Sequence, residues 1–143
     1  MIKDFLHVGI SVIDLEESVR FYTEVMQMDL DYRTKNKGET ISHIVGVEDA
    51  DFNVAVVRKG NLRIELLDYK SEEKKKRATY PAQDQPGLVH ISFQVDDVQK
   101  EYERIKAMGF VFNSPPMVAR ENGPKIAYFK GVDQVVIELF EKV

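Results

Sequence analysis

Two histidines and two glutamates occupy equivalent positions in the two halves of this sequence. His7 lies in FLHVGISV and Glu65 in NLRIELLDY, whereas His90 lies in LVHISFQV and Glu138 in VVIELFE. Both glutamates stand among apolar residues, where an unpaired ionised carboxylate is strongly unfavourable. The pattern therefore indicates that a charged partner, such as a bound cation, compensates each carboxylate.

Two imidazoles and two carboxylates form a ligand set that suits a divalent metal ion. The sequence contains no cysteine, which excludes a thiolate site. We therefore expect one ion of Ni, Co, Zn, Mn or Fe, bound by His7, Glu65, His90 and Glu138. A single histidine or glutamate on a strand is ordinary, but a duplicated pair is hard to obtain by chance. The third histidine, His43, has no counterpart in the second half and is expected to be structural or to lie in a loop.

The elements that position these residues are predicted to form a repeated β-α-β-β-β unit. Alternating apolar residues around each histidine favour a strand, and a helix capped by Asp14 or by Asp97 should follow it. Gly109 is placed to end the second helix. Further strands are predicted at LDYRT, FNVAVVRKG and NLRIELLDY in the first half, with a turn at 59–61, and at FVFN, KIAYFKG and VVIELFE in the second. Equivalent segments in equivalent order indicate an internal duplication.

The chain is predicted to be a single domain, 1–143, made of two modules. The first module covers approximately 4–69 and the second approximately 88–143, joined by a polar linker at 70–87 whose KKKR run is expected to be solvated. The stretch 35–51 is longer than a simple strand connection and is expected to be a loop over a pocket.

The polar residues that share a strand face with the histidines are candidates for substrate contacts. Residues two apart on a strand point to the same side, so the histidine faces should line a polar, concave interior while the apolar faces pack on the helices. The candidate substrate-binding residues are Ser11, Ser92, Gln94 and Tyr128.

The composition of the 143 residues is that of a globular domain, with 43% hydrophobic and 31% charged residues. A net charge of −4 gives no general attraction for nucleic acid. No apolar run approaches the roughly 18 residues that a membrane span needs, and the N-terminus does not resemble a signal peptide. We therefore expect a cytoplasmic protein with a small-molecule substrate and no nucleic-acid or membrane partner.

Four motifs in this chain resemble those of the vicinal oxygen chelate superfamily, the glyoxalase, bleomycin-resistance and extradiol dioxygenase group. They are HVGISVIDLEESVRFYTEV, RIELL, GLVHISFQV and YFKGVDQVVIELFE, and the resemblance extends from residue 5 to 141. It implies an α+β fold in which two tandem βαβββ modules form a cupped, barrel-like mixed sheet with helices on the outside. It also implies one divalent metal ion, with His7, Glu65, His90 and Glu138 in the ligand positions.

Within that superfamily, the full His/Glu/His/Glu set is similar to glyoxalase I and to methylmalonyl-CoA epimerase-like proteins. In both, a metal polarises a carbonyl group and a carboxylate moves a proton on the adjacent carbon. The resemblance therefore implies a metal-dependent lyase or isomerase acting on a small oxygenated metabolite or thioester, with Glu138 or Glu65 as the base. We favour Glu138, because the neighbouring Val136 and Phe140 should keep water away.

Other members of the superfamily define the alternatives. Extradiol dioxygenases use two His and one Glu, so Glu65 argues against that branch, and a resistance-type protein that binds a drug or ligand without turnover is the second alternative. Ser11 and Tyr69 replace the Arg and Asn that hold glutathione in bacterial glyoxalases, which makes glutathione less favoured here. Exposed strand edges in modules of this kind favour a homodimer.

Overall fold

The computed structural model describes residues 1–71 and 82–142. The chain divides into two compact units, Met1–Ala78 and Thr79–Val143, each with its own sheet. The predicted KKKR run of the linker lies outside the described residues. No helix in the described part of the chain is long and apolar enough to cross a membrane.

The first unit contains a four-stranded mixed sheet in the order β1-β4-β3-β2. β1 runs parallel to β4, and the other neighbours are antiparallel. Its elements are β1 (Val8–Ser11), α1 (Leu15–Arg20, continued by a π-helical segment at Phe21–Val25), β2 (Asp29–Lys37), α2 (Glu39–Val45), β3 (Asp51–Lys59) and β4 (Leu62–Tyr69).

The second unit repeats this topology, with the strand order β5-β8-β7-β6 and a parallel β5–β8 pair. Its elements are β5 (Ile91–Gln94), α3 (Val98–Ala107), β6 (Met117–Val118), β7 (Lys125–Lys130), a short 3-10 helix (Val132–Gln134) and β8 (Val136–Glu141). The predicted α+β class is confirmed, with the strands arranged as two four-stranded mixed sheets and no closed barrel among the described residues.

The predicted helix boundaries follow from local hydrogen bonds. Asp14 Oδ1 accepts the backbone N–H of Glu17 at 2.8 Å, and Asp97 Oδ1 accepts that of Lys100 at 3.0 Å. After α3 the chain turns at Gly109, whose φ of +97° is one that a residue with a side chain rarely adopts. The three predicted boundary residues therefore act as expected.

Each sheet packs one apolar face in a core. In the first unit Ile64 and Leu66 of β4 are fully buried, and α1 lies against β3 and β4. In the second unit Ile137 and Leu139 of β8 are buried in the same way, and α3 contacts β7 and β8. Because side chains alternate along a strand, Glu65 and Glu138 point to the faces opposite these residues.

The stretch 35–51 differs from its prediction. β2 continues to Lys37, and α2 follows where a loop was expected. The partly buried Ile41 and Val45 of α2 pack against a buried cluster made of Ala50, Phe52, Val54 and Val56. This short helix is stabilised by tertiary contacts rather than by a long helical pattern, which explains why the sequence did not reveal it. A cavity of about 720 Å³ is lined by residues of this stretch, among them His43 of α2.

Three strand predictions differ from the structure. FVFN forms only an isolated bridge between Phe112 and Phe129, and the edge strand is the two-residue β6. The strands around the histidines begin at Val8 and Ile91, so His7 and His90 each stand one residue before a strand.

Candidate metal-binding site

Each unit brings one predicted His/Glu pair together. His7 Nε2 lies 3.3 Å from Glu65 Oε2 in the first unit, and His90 Nε2 lies 3.7 Å from Glu138 Oε2 in the second. In both pairs a ring nitrogen faces a carboxylate oxygen. The two halves of the sequence therefore build the same local arrangement.

The strand register explains why the pairs are equivalent. Glu65 lies beside Gly9 in the parallel β1–β4 pair, and Glu138 lies beside Ser92 in the parallel β5–β8 pair. Gly9 and Ser92 each follow a histidine by two residues, which places the histidine on the same side of the sheet as the glutamate. The duplication seen in the sequence thus extends to the hydrogen-bonding register.

The four predicted ligands are present as two pairs. Within residues 1–71 and 82–142, no group of three or more His, Asp or Glu side chains lies close enough to hold a metal ion. Protein sites for Zn and similar ions have at least three protein ligands, so one pair is only half of such a site. The donor types nevertheless fit a divalent ion of this kind.

Gln83 fixes the ring of His90. The Gln83 side chain donates through Nε2 to the carbonyl of Val89 at 2.7 Å, and its Oε1 lies 2.9 Å from His90 Nδ1. An amide oxygen can only accept, so Nδ1 of His90 is the donor in this contact, and Nε2 is the ring nitrogen that faces Glu138 Oε2. A hydrogen bond to the other ring nitrogen is the usual support of a metal-bound histidine.

Sequence reasoning did not identify Gln83, because it lies in the predicted linker and outside every strand. No pattern in the sequence connects it with His90.

Tyr128 holds the second oxygen of Glu138. The two residues are cross-strand partners on β7 and β8, and the Tyr128 hydroxyl donates a hydrogen bond to Glu138 Oε1. Burial raises the pKa of Tyr128 to about 12, and the hydrogen bond and the negative charge of Glu138 act in the same direction. Tyr128 therefore remains a protonated donor at neutral pH. This donor compensates part of the cost of burying Glu138, which is only 9% exposed.

Glu65 has a different environment. Its cross-strand neighbour on β3 is Val56, which cannot donate a hydrogen bond from its side chain. Burial, together with the negative charge of Glu65, raises the pKa of Tyr69. The Glu65 side chain is 26% exposed, compared with 11% for that of Glu138. The two carboxylates are thus equivalent in register but not in contacts.

The predicted substrate-binding residues lie on the faces that carry the pairs. Ser11 lies beside Leu67, Ser92 beside Glu138 and Gln94 beside Phe140. All three are exposed, as substrate contacts must be before a ligand binds. Tyr128, in contrast, is engaged with Glu138.

The chain is similar in sequence to proteins of one large family. Residues 4–139 match the Glyoxalase/Bleomycin resistance protein/Dioxygenase superfamily. The chain is 30% identical to the uncharacterized protein YwbC of Bacillus subtilis, with 99% of this chain and 100% of that protein aligned. It is 27% identical to the lactoylglutathione lyase GLX1 of Arabidopsis thaliana over 98% of this chain, which spans 44% of that protein.

Among solved structures, the fold is similar to that of a glyoxalase family protein from Bacillus cereus. The TM-score is 0.83 at 22% identity, with 100% of this chain and 96% of the other covered. The family match extends over nearly the whole chain, and the fold has the same architecture. This chain therefore belongs to the Glyoxalase/Bleomycin resistance protein/Dioxygenase superfamily.

Proposed function

We propose that this protein is a divalent-metal-dependent enzyme, a lyase or an isomerase, that moves a proton on a small oxygenated metabolite or thioester. The observation that carries the proposal is the pair of equivalent His/Glu arrangements, in which a ring nitrogen faces a carboxylate oxygen at 3.3 and 3.7 Å. The 27% identity to a lactoylglutathione lyase supports the reaction class.

In this proposal one metal ion takes ligands from both pairs, His7 with Glu65 and His90 with Glu138. Each pair alone supplies two ligands, and two pairs supply the four that Ni, Co, Zn, Mn or Fe accepts. The two modules, 4–69 and 88–143, would then act with the linker 70–87 as one functional domain.

The metal ligands, the glutamate base and the exposed polar residues have different roles in the proposed reaction. A divalent ion held by the two His/Glu pairs would supply a Lewis acid that polarises a substrate carbonyl or carboxylate, which makes the proton on the neighbouring carbon more acidic. A glutamate within hydrogen-bond reach takes that proton and returns it. The exposed Ser11, Ser92 and Gln94 orient the substrate by hydrogen bonds.

Glutathione is a less favoured carrier for the proposed substrate. Ser11 and Tyr69 are neutral, and the nearby Arg63 has its Nε 3.6 Å from an oxygen of Asp31. These three residues therefore offer no unpaired cation to the carboxylates of glutathione. A small oxygenated metabolite or a thioester fits such a surface better.

Metal content is the first test. Protein purified without chelator should contain one divalent ion per chain, that is, one ion for the two His/Glu pairs together, as measured by elemental analysis. Glu138→Gln should lose most of this metal, while Glu103→Gln should retain it, because Glu103 is exposed on α3 and bonds the side chain of Gln99. Wild-type protein that contains no metal and takes up no Ni, Co or Zn overturns the proposal.

The reaction is tested by isotope exchange. Metal-loaded protein is incubated in D₂O with 2-oxoaldehyde hemithioacetals, 2-methylmalonyl thioesters and catechols. Deuterium on the carbon next to a carbonyl is the expected result. Ring cleavage with oxygen uptake would identify a dioxygenase instead, and tight binding without turnover would identify a ligand-binding protein of the resistance type.

A further inference from the structure

We infer that Arg58 and Arg63 form an anion-binding site on the first unit, and that they hold a carboxylate or phosphate group of the substrate beside the His7/Glu65 pair. Both groups are oxyanions that a guanidinium binds through two parallel hydrogen bonds. The inference rests on the proposed function for the identity of the bound molecule as the substrate. The anion site itself is built from residues of the first unit alone.

Arg58 and Arg63 lie directly opposite each other. They are cross-strand partners in the antiparallel β3–β4 pair, close to the turn that joins these two strands. Like charges in directly opposite positions destabilise a sheet. The two strands therefore bear a repulsion that a bound anion would relieve.

Asp31 compensates this repulsion only in part. One of its oxygens lies 3.7 Å from Arg58 Nε, and the other lies 3.6 Å from Arg63 Nε. Both distances are longer than a hydrogen bond, and one carboxylate is shared by two cations. Asp29, which lies opposite Arg58 on β2, makes no ion pair with it in the described part of the chain. Arg58, Arg63 and Asp31 together thus carry one surplus positive charge.

The outer ends of the two guanidinium groups are available to a ligand. Nε is the atom that each arginine directs at Asp31, and the Nη atoms donate no hydrogen bond to a residue in the ranges 1–71 and 82–142. The two side chains are 51% and 45% exposed. Two accessible forked donors on neighbouring strands match the paired oxygens of a carboxylate or phosphate.

The arginines lie on the face of the sheet that carries the His7/Glu65 pair. Arg63 precedes Glu65 by two residues, so the two side chains point to the same side. His7 and Arg63 come directly before Val8 and Ile64, which are partners in the parallel β1–β4 pair. A ligand held by the arginines therefore lies next to the His/Glu pair.

The other end of the same face is apolar. Beyond Glu65, the cross-strand pairs Val54–Leu67 and Phe52–Tyr69 belong to the buried cluster against which α2 packs, or lie against it. Glu65 thus stands between a cationic end and an apolar end of this face. The order favours a substrate with its oxyanion at the arginines and its less polar part towards α2.

Anion binding is tested on metal-free protein, so that the result does not depend on the metal. ¹⁵N-labelled protein is titrated with sodium acetate or with inorganic phosphate, and sodium chloride keeps the ionic strength constant. The Nε–Hε signals of Arg58 and Arg63 should shift and reach saturation. Tighter binding of acetate identifies a carboxylate site, and tighter binding of phosphate identifies a phosphate site. Shifts that do not saturate with either anion overturn the inference.

Arg58→Lys keeps the charge and removes the forked donor. It should weaken anion binding about tenfold, as followed by the signal of Arg63, since about one charge-assisted hydrogen bond is lost. The matched control is Arg33→Lys on β2, because both Nη atoms of Arg33 already donate to the carboxylate of Glu16. Its anion affinity should equal that of the wild type. Circular dichroism confirms that each variant is folded.

Asp31→Asn separates a ligand site from a purely structural ion pair. It removes the carboxylate that competes with the ligand for the two arginines, so the anion affinity should rise about fivefold. An affinity that is unchanged or lower in Asp31→Asn contradicts the inference.

The assignment to the substrate is tested on metal-loaded protein with the substrate that the wild type exchanges in D₂O. Arg58→Lys should raise the KM of this substrate about tenfold and leave kcat unchanged, because the contact is made equally before and during the reaction. An unchanged KM, or a substrate that carries no oxyanion group, overturns the assignment while the proposed function stands. Wild-type protein that binds acetate or phosphate but takes up no divalent metal overturns the proposed function and leaves the anion site.

Discussion

Glu138 is the one charged side chain that is buried in the described part of the chain. Its carboxylate accepts a hydrogen bond from the Tyr128 hydroxyl and lies 3.7 Å from Nε2 of His90. A metal ion would need this carboxylate, whereas the metal-free protein bears the cost of burying it. At this residue, metal binding and stability of the metal-free protein therefore have opposite requirements.

The first prediction follows from that conflict. In metal-free protein, Glu138→Gln should raise the free energy of unfolding by about 0.5–1.5 kcal/mol, because the amide removes the cost of burying a charge and can still accept from Tyr128. Urea denaturation in the presence of EDTA measures the difference. With the metal present the wild type should have the higher free energy of unfolding, since only the wild type gains stability from binding.

The matched control for this experiment is Glu103→Gln, an exposed change of the same chemistry that should leave the unfolding free energy within about 0.5 kcal/mol. A metal-free Glu138→Gln protein that is clearly less stable than the wild type would contradict the prediction and show that the buried carboxylate stabilises the metal-free protein.

At the scale of elements, the N-terminus of α3 has two carboxylate caps from different parts of the chain. Asp97 accepts the backbone N–H of Lys100, and Glu141 of β8 accepts that of Val98 at 2.7 Å. The first cap is local and the second depends on the folded sheet. α3 is therefore joined to the same strand that carries Glu138.

The second prediction concerns the local cap. Asp97→Ala should lower the free energy of unfolding by about 0.5–2 kcal/mol, because it leaves a backbone donor of α3 without its partner. The adjacent Asp96→Ala, which removes an exposed carboxylate just outside the helix, is the control. Equal urea midpoints for the two variants would show that Asp97 is not required as a cap.

The third prediction concerns Asp51, which joins three strand ends in the first unit. Its carboxylate lies 3.0 Å from Nζ of both Lys37, at the end of β2, and Lys70, after β4. The hydrogen bond from Lys70, followed by that from Lys37, holds the pKa of Asp51 below its ordinary value of 3.8. A carboxylate with a lowered pKa in the folded state contributes stability above its unfolded pKa and loses it as the pH falls through the folded pKa.

Asp51→Asn should therefore be less stable than the wild type at pH 6, and the difference should shrink below the ordinary pKa of 3.8. Thermal unfolding at a series of pH values measures it. Asp29→Asn, on an exposed position at the start of β2, serves as the control. A difference that stays constant down to pH 2 would exclude the ionic contribution of Asp51.

Elements set by residues close together in the sequence were predicted correctly, whereas elements that depend on contacts between distant residues were not. Caps, turns and alternating strands are local, and Asp14, Asp97 and Gly109 were identified correctly. α2 was missed because its stability comes from contacts of Ile41 and Val45 with β3. FVFN has the composition of a strand, yet in the described chain it forms only the isolated bridge between Phe112 and Phe129.

At the scale of the whole molecule, the internal duplication is what makes the candidate ligands visible in the sequence. Repetition identifies His7, Glu65, His90 and Glu138, and the strand register places each histidine beside its glutamate. The asymmetry between the pairs is not visible in the same way. It depends on the residue that lies opposite each glutamate, Val56 on β3 or Tyr128 on β7, and on the contact of Gln83 with His90. The spacing of the ligands sets none of these.

The last prediction is that the protein is a homodimer. Each sheet ends in an edge strand with exposed apolar residues, Leu30 and Tyr32 on β2 and Met117 and Val118 on β6, at 42 to 63% exposure. Unpaired edges of this kind favour association with a second copy. Sedimentation equilibrium at micromolar concentration should give twice the chain mass. Lysine on an edge strand opposes such pairing, so Leu30→Lys or Met117→Lys should shift the equilibrium towards monomer, and the variant that does so identifies the edge. A monomeric wild type would contradict the prediction.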